Sequence, residues 1–116
     1  MSLIKINELS GNISSNNSTA YVADKISLQI DKNTTIGILG ESGSGKTQLA
    51  MTLSGLNNVN YRMESGSIDY SFNSKENFST VPDNSMINSN QIKFNQLQSK
   101  LKKDKIYGNK IGIMFQ

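Results

Sequence analysis

The stretch Thr34-Thr35-Ile36-Gly37-Ile38-Leu39-Gly40-Glu41-Ser42-Gly43-Ser44-Gly45-Lys46-Thr47 decides how this chain is read. Its first six residues form a short, nearly continuous β-prone run, the type found in strands buried on both faces. Gly40 to Thr47 then fits G-x-x-x-x-G-K-[ST] at every fixed position. Glycines at 40, 43 and 45 open backbone angles closed to other residues and let the main chain approach an anion. Successive N–H groups point inward at the start of a helix, where the helix dipole is positive. Lys46 brings a full positive charge to the β and γ phosphates. The Thr47 hydroxyl is placed to ligate a magnesium ion bridging the same oxygens. The implied ligand is a nucleotide, ATP before others.

Context separates such a loop from a Gly/Ser-rich turn that merely contains Lys-Thr. A buried strand should precede it and an amphipathic helix should follow. Ile36 to Leu39 meets the first condition. Lys46 to Leu56 meets the second, with Leu49, Ala50, Leu53 and Leu56 on one side, and Gly55 and Asn57-Asn58 ending the helix.

Upstream, Leu3, Ile4 and Ile6 open a short strand that Leu9 extends. Gly11 to Thr19, rich in Asn, Ser and Gly, reads as a turn or hairpin loop. Val22 to Ile30 is a half-buried strand, because Ile26, Leu28 and Ile30 alternate with Ser27 and Gln29. Asp31-Lys32-Asn33 makes the next turn. Downstream, Ser67 to Phe72 alternates again as a strand. Residues 73–90 hold little pattern, one proline at Pro82 and much Asn and Ser; they read as a mobile insertion. Gln91 to Lys103 suggests a weak amphipathic helix using Ile92, Leu97 and Leu101. Lys110 to Gln116 looks like a second buried strand, and a chain stopping there suggests a truncated domain.

Composition narrows the chemistry. Cysteine and histidine are both absent, which excludes a disulfide framework, a zinc site, a cysteine nucleophile and a serine–histidine triad. The net charge of +3 is too small to argue for a nucleic-acid surface. The lysines between Lys93 and Lys110 have only Phe94 and Tyr107 as aromatic neighbours, so they read as a solvated helix face and no nucleic-acid partner is expected. The N-terminus carries no signal-peptide pattern, and no window approaches the roughly 20 apolar residues of a membrane span. The expected location is cytoplasmic.

Three landmarks resemble one family. Ile36 to Thr47 is similar to the Walker A region of ATP-binding cassette (ABC) transporter ATPases, and the Gly-Glu-Ser-Gly-Ser-Gly-Lys version resembles most that typical of oligopeptide/dipeptide permease subunits. Ser65-Gly66-Ser67-Ile68 resembles a short strand of that family, and Lys110 to Gln116 resembles the strand leading into its Q-loop. The resemblance implies an α/β fold: an incomplete P-loop NTPase core with an antiparallel β subdomain, of the ABC ATPase type. Residues 1–116 would be the N-terminal part of an ABC-type nucleotide-binding domain, with the insertion at 73–90.

The resemblance implies ATP and Mg²⁺ as cofactors. Gly40, Glu41, Ser42, Gly43, Ser44, Gly45, Lys46, Thr47 and Gln48 would bind ATP, Lys46 would serve catalysis, and Thr47 and Gln116 would hold magnesium. On its own, a terminal glutamine would more often be a solvated strand end; the Ile-Gly-Ile-Met-Phe run before Gln116 turns the reading toward the Q-loop. The family stacks an aromatic residue on adenine after the first strand. Alignment by the strands puts Ile13 near that place, with Tyr21 the nearest aromatic, either stacking on adenine or standing as an ordinary strand-edge tyrosine. Implied partners are the nucleotide, transmembrane permease subunits and a second ATPase subunit, at the inner face of the cell membrane. Departures matter as well: an LSGGQ signature, a Walker B strand with its glutamate and a switch histidine are all absent from these residues. Leu53-Ser54-Gly55 only imitates the start of the signature.

The function expected is therefore that of an ATP-binding subunit of a peptide importer, an ATPase coupling ATP binding and hydrolysis to transport. These residues carry only the Walker A and Q-loop portion of it and would alone bind nucleotide weakly. A non-hydrolytic nucleotide-binding or regulatory protein acting through a partner is the alternative. A small P-loop kinase ranks last, because Arg62 is the only arginine available for a lid. Buried strands without their neighbours would leave the isolated chain marginally stable.

Overall fold

The computed structural model describes residues 2–15, 18–32, 51–53, 55, 61–72 and 77–103. Five strands form one sheet in the order β2-β1-β3-β4-β5. They are β1 (Ser2–Ser15), β2 (Ser18–Asp31), β3 (Tyr61–Ser71), β4 (Asn77–Val81) and β5 (Gln91–Lys93). β1 pairs antiparallel with both β2 and β3, and β3 pairs antiparallel with β4. β5 joins β4 in parallel, so the sheet is mixed. A 3₁₀ turn, Phe94–Gln96, leads into the helix Leu97–Lys103.

Alternation in the sequence produces the core. Ile4, Ile6 and Leu9 of β1 meet Tyr61, Met63, Ile68 and Tyr70 of β3 on one face, joined by Phe72, Phe78, Leu97 and Leu101. Ile26, Leu28 and Ile30 of β2 pack partly buried against this cluster, as their spacing predicts. The opposite face is polar: Asn7 Nδ2 donates to Ser67 Oγ and Asp69 Oδ2 at 3.0 and 3.1 Å, and Ser79 Oγ donates to Asp69 Oδ1 at 2.6 Å.

The period of two is interrupted on each of the three long strands, and on β1 most of the register shifts cluster between Ile6 and Asn12. Glu8 (φ 46°), Lys25 (φ 49°) and Gly66 (φ 88°) all adopt left-handed backbone. Between Asn7 and Ser10 the β1–β3 register shifts, as does β1–β2 between Ile6 and Leu9. An extra residue on a strand reverses which side chains face inward beyond it and bends the strand. Burial accordingly passes from Ile4 and Ile6 to Leu9, and from Met63 to Ile68. Backbone donors freed at the bulges find serines: Glu8 N–H donates to Ser27 Oγ (3.0 Å) and Lys25 N–H to Ser10 Oγ (2.9 Å).

Three sequence expectations are corrected. Gly11 to Thr19 is not a hairpin loop, since β1 runs to Ser15 and β2 restarts at Ser18. Gly11 pairs with Ala23 on one side and Met63 on the other, and pairing on both sides overrides the weak strand preference of Gly, Asn and Ser. The missing Cβ of Gly11 leaves the space that the Tyr61 phenol occupies.

Residues 73–90 are not without packed structure. β4 lies within them, with Phe78 and Thr80 buried and the Phe78 ring stacked on Tyr70 at 4.9 Å. Five residues mixing Asn, Ser and Thr gave too short an alternation to stand out. Finally, Gln91 to Lys103 is not one helix: Ile92 belongs to β5, opposite Thr80, while Leu97 and Leu101 are fully buried on the helix as their spacing predicts. Asp83 Oδ1 accepts from Asn95 N–H at 2.8 Å, tying the loop before β5 to the 3₁₀ turn. The expected strands at Thr34 to Leu39 and Lys110 to Gln116 lie outside the described residues.

Candidate functional site

Gly40, Glu41, Ser42, Gly43, Ser44, Gly45, Lys46, Thr47, Gln48 and Gln116 lie outside the described residues. The structure does describe how the segment after the loop is held. Residues 51–53 are helical and Gly55 forms a turn, so the chain leaves the helix at the glycine and not after Leu56 as the sequence suggests. Gly55 N–H donates to the Thr52 carbonyl at 3.2 Å with φ 71°, a left-handed stop that glycine adopts without steric cost.

The end of a helix leaves its last carbonyls without intrahelical partners. Here Tyr70 of β3 donates its phenol to the Leu53 carbonyl at 2.5 Å. Neighbouring Thr52 is buried and lies by Tyr61, from the other end of β3. Burial pushes the Tyr61 phenol above its ordinary value, and the nearby Thr52 hydroxyl partly opposes the rise, though not at ordinary hydrogen-bonding geometry. The protonated phenol is therefore the form that packs here. Leu97 closes the cup, its Cγ standing 3.1 Å from where a side chain on Gly55 would begin.

Tyr21 lies in β2, paired with Asn12, and Asn12 pairs with Arg62 of β3 on its other side. Asn12 and Arg62 border an open groove of about 540 Å³ whose lining also includes Thr19, Tyr61, Glu64 and Asp83. Asn12 Nδ2 donates to Glu64 Oε1, so the amide side chain is already turned toward a carboxylate. A single guanidinium beside two carboxylates can hydrogen-bond a polar ligand carrying both donors and acceptors. Ile13, the residue aligned with the family's stacking aromatic, is half-buried opposite Tyr61.

Sequence reasoning missed this groove and the two tyrosines. Arg62 had a signal in being the sole arginine. Tyr70 sat visibly on an alternating strand, but its contact with a carbonyl 17 residues away had no local mark. Among the described residues no group of His, Cys, Asp or Glu could hold a metal ion, and no helix is long and apolar enough to cross a membrane.

Comparison with known families decides the broad assignment. The family model described as ABC transporter matches residues 23–116, which is most of the chain. The chain belongs to the ABC transporter family. The matched stretch contains Gly40 to Thr47 and ends at Gln116, so the phosphate-loop pattern and the Lys110 to Gln116 stretch both fall within it. No curated protein sequence matches the chain.

Membership brings a P-loop NTPase fold and a general ATP-binding function. ABC ATPase domains bind ATP with Mg²⁺, hydrolyse it and work with transmembrane subunits. In this ABC chain, the donor set from Gly40 to Thr47 fits a magnesium-bound triphosphate by its chemistry: successive backbone N–H groups, one lysine and one hydroxyl.

Proposed function

We propose that this chain is the ATP-binding part of an oligopeptide or dipeptide ABC importer, in which ATP binding and hydrolysis drive transport. The observation that carries the proposal is the Gly-Glu-Ser-Gly-Ser-Gly-Lys-Thr loop inside a family match spanning residues 23–116. Backbone N–H groups from Gly40 to Gly45 cradle the phosphates, Lys46 neutralises the β and γ oxygens, and Thr47 ligates magnesium. Gln48 continues the cradle into the helix. Gln116 holds the same magnesium, and Tyr21 stacks on adenine.

Phosphoryl transfer depends on positioning, charge neutralisation and a group that orients the attacking water. These residues supply the first two. They contain no histidine and no Walker B carboxylate pattern, so they serve the binding half of the cycle and have little hydrolytic activity of their own. Permease subunits and a second ATPase subunit are the partners, met at the inner face of the membrane.

Equilibrium binding of a fluorescent ATP analogue with magnesium tests the proposal. Saturable binding is expected for the chain, and Lys46→Ala should weaken it by about tenfold to a hundredfold, the scale of one charge-assisted contact. Equal binding by both proteins would remove the loop as the site.

A further inference from the structure

We infer that the groove at Arg62 is a second binding site of this chain, and that it takes a dipeptide with free ends: the ligand carboxylate meets Arg62, and its ammonium meets Glu64 and Asp83. The site does not depend on the nucleotide-binding reading above.

Alternation along β3 decides which way the site faces. Tyr61 and Met63 belong to the core, so Arg62 and Glu64, exposed between and beyond them, lie on the other face of the strand. The helical segment 51–53 is on the core side, where the Leu53 carbonyl accepts from Tyr70. The groove therefore opens on the face of β3 away from that segment. Two crevices meet there. One, of about 540 Å³, takes in Asn12 and Thr19, and the other, of about 420 Å³, takes in Asn84; Arg62, Glu64 and Asp83 line both. Each volume is that of a small-molecule site.

Three charged groups border this space without neutralising one another. Among the described residues Arg62 has no hydrogen-bond or ion-pair partner. Each carboxylate is held by one oxygen: Glu64 Oε1 accepts from Asn12 Nδ2, and Asp83 Oδ1 accepts from Asn95 N–H at 2.8 Å. Asn12 is 5% exposed, so the donor that orients Glu64 is itself fixed in the sheet. Among the described residues the second oxygen of each carboxylate has no donor.

A simple anion would meet the guanidinium but also two carboxylates, and a simple cation would meet the reverse. A zwitterion satisfies both signs. Its carboxylate suits the planar fork of arginine, and the three protons of its ammonium can serve both acids. Length selects among zwitterions. Arg62 and Glu64 stand two residues apart on one strand, about 6.6 Å between main chains. An extended dipeptide spans up to about 7 Å, whereas a single amino acid carries both charges within one residue's length.

The test titrates alanylalanine, its N-acetyl form and its C-terminal amide into the full chain, read by the backbone amide signals of Arg62, Glu64, Asp83 and Asn84. Saturable shifts are expected with alanylalanine. Each blocked form should bind at least about tenfold more weakly, the scale of one charge-assisted contact. Arg62→Gln should lose a similar factor for alanylalanine and no longer distinguish it from the amide, while still rejecting the acetyl form. Glu64→Gln should narrow the difference from the acetyl form and keep the difference from the amide. Both positions are exposed, so neither substitution disturbs the core. No saturable shift, or one affinity for all three peptides, would overturn the site. Displacement of alanylalanine by Mg-ATP would make the groove part of the nucleotide site and overturn its being a second one.

Discussion

Gly66→Ala is expected to lower the unfolding free energy by about 3 kcal/mol or more, read from urea or guanidinium unfolding. Two independent costs meet at this residue. Its φ of 88° lies where L side chains rarely go. A Cβ there would also fall against the main-chain oxygens of Asn7 and Glu8, the latter well inside contact distance. Backbone oxygens of a paired strand cannot turn aside as a flexible side chain would. Relief therefore requires β1 and β3 to separate locally, and these strands carry most of the core. Register shifts on β1 cluster between Ile6 and Asn12, beside Gly66, so the damage should extend to the β1–β2 pairing. A thermal midpoint within a degree or two of wild type would mean that these bulges do not constrain the sheet.

Leu97→Ala should cost about 3–4 kcal/mol in the same measurement, within the span seen for buried leucines. Leu97 is fully buried, and it belongs to the cluster shared by β1, β3 and β4. It also backs the turn at Gly55 that ends the helical segment 51–53. Truncation removes apolar contacts and leaves a void that strands on one side and helix on the other cannot readily close. Met86→Ala is the natural contrast. Met86 is 98% exposed, and its loss should change stability by no more than about 0.5 kcal/mol. A similar effect for the two substitutions would contradict the core described above.

How much of this was legible in the sequence differs by element, and the differences have physical causes. The strands at Ile4–Ile6 and Ile26–Ile30 showed themselves because each buries one face, which alternation records directly. Leu97 and Leu101 were legible for the same reason at helical spacing. The extension of β1 through Gly11 to Ser15 was not, because pairing on both sides stabilises it where local preference does not. β4 was hidden in Asn- and Ser-rich sequence, since only Phe78, Thr80 and Val81 of its five residues are buried.

The bulges carried a partial mark. Gly66 is a glycine within a strand, a common sign of a bulge, yet Glu8 and Lys25 adopt left-handed backbone with no such sign. The Gly40 to Thr47 pattern is the clearest motif in the sequence, because a phosphate loop would work through backbone N–H groups that only certain residue types permit; its residues lie outside the described ones. The bond from Tyr70 to the Leu53 carbonyl was invisible, because a contact between a side chain and a distant carbonyl leaves no periodic trace.

The central claim is that this chain holds a nucleotide by its phosphates. The most direct measurement is displacement of a bound fluorescent ATP analogue, with magnesium present, by inorganic tripolyphosphate and separately by adenosine. Tripolyphosphate should compete and adenosine should not at the same concentration, because the loop from Gly40 to Thr47 binds the phosphate chain. Displacement by adenosine but not by tripolyphosphate would place the affinity on the base and contradict the account.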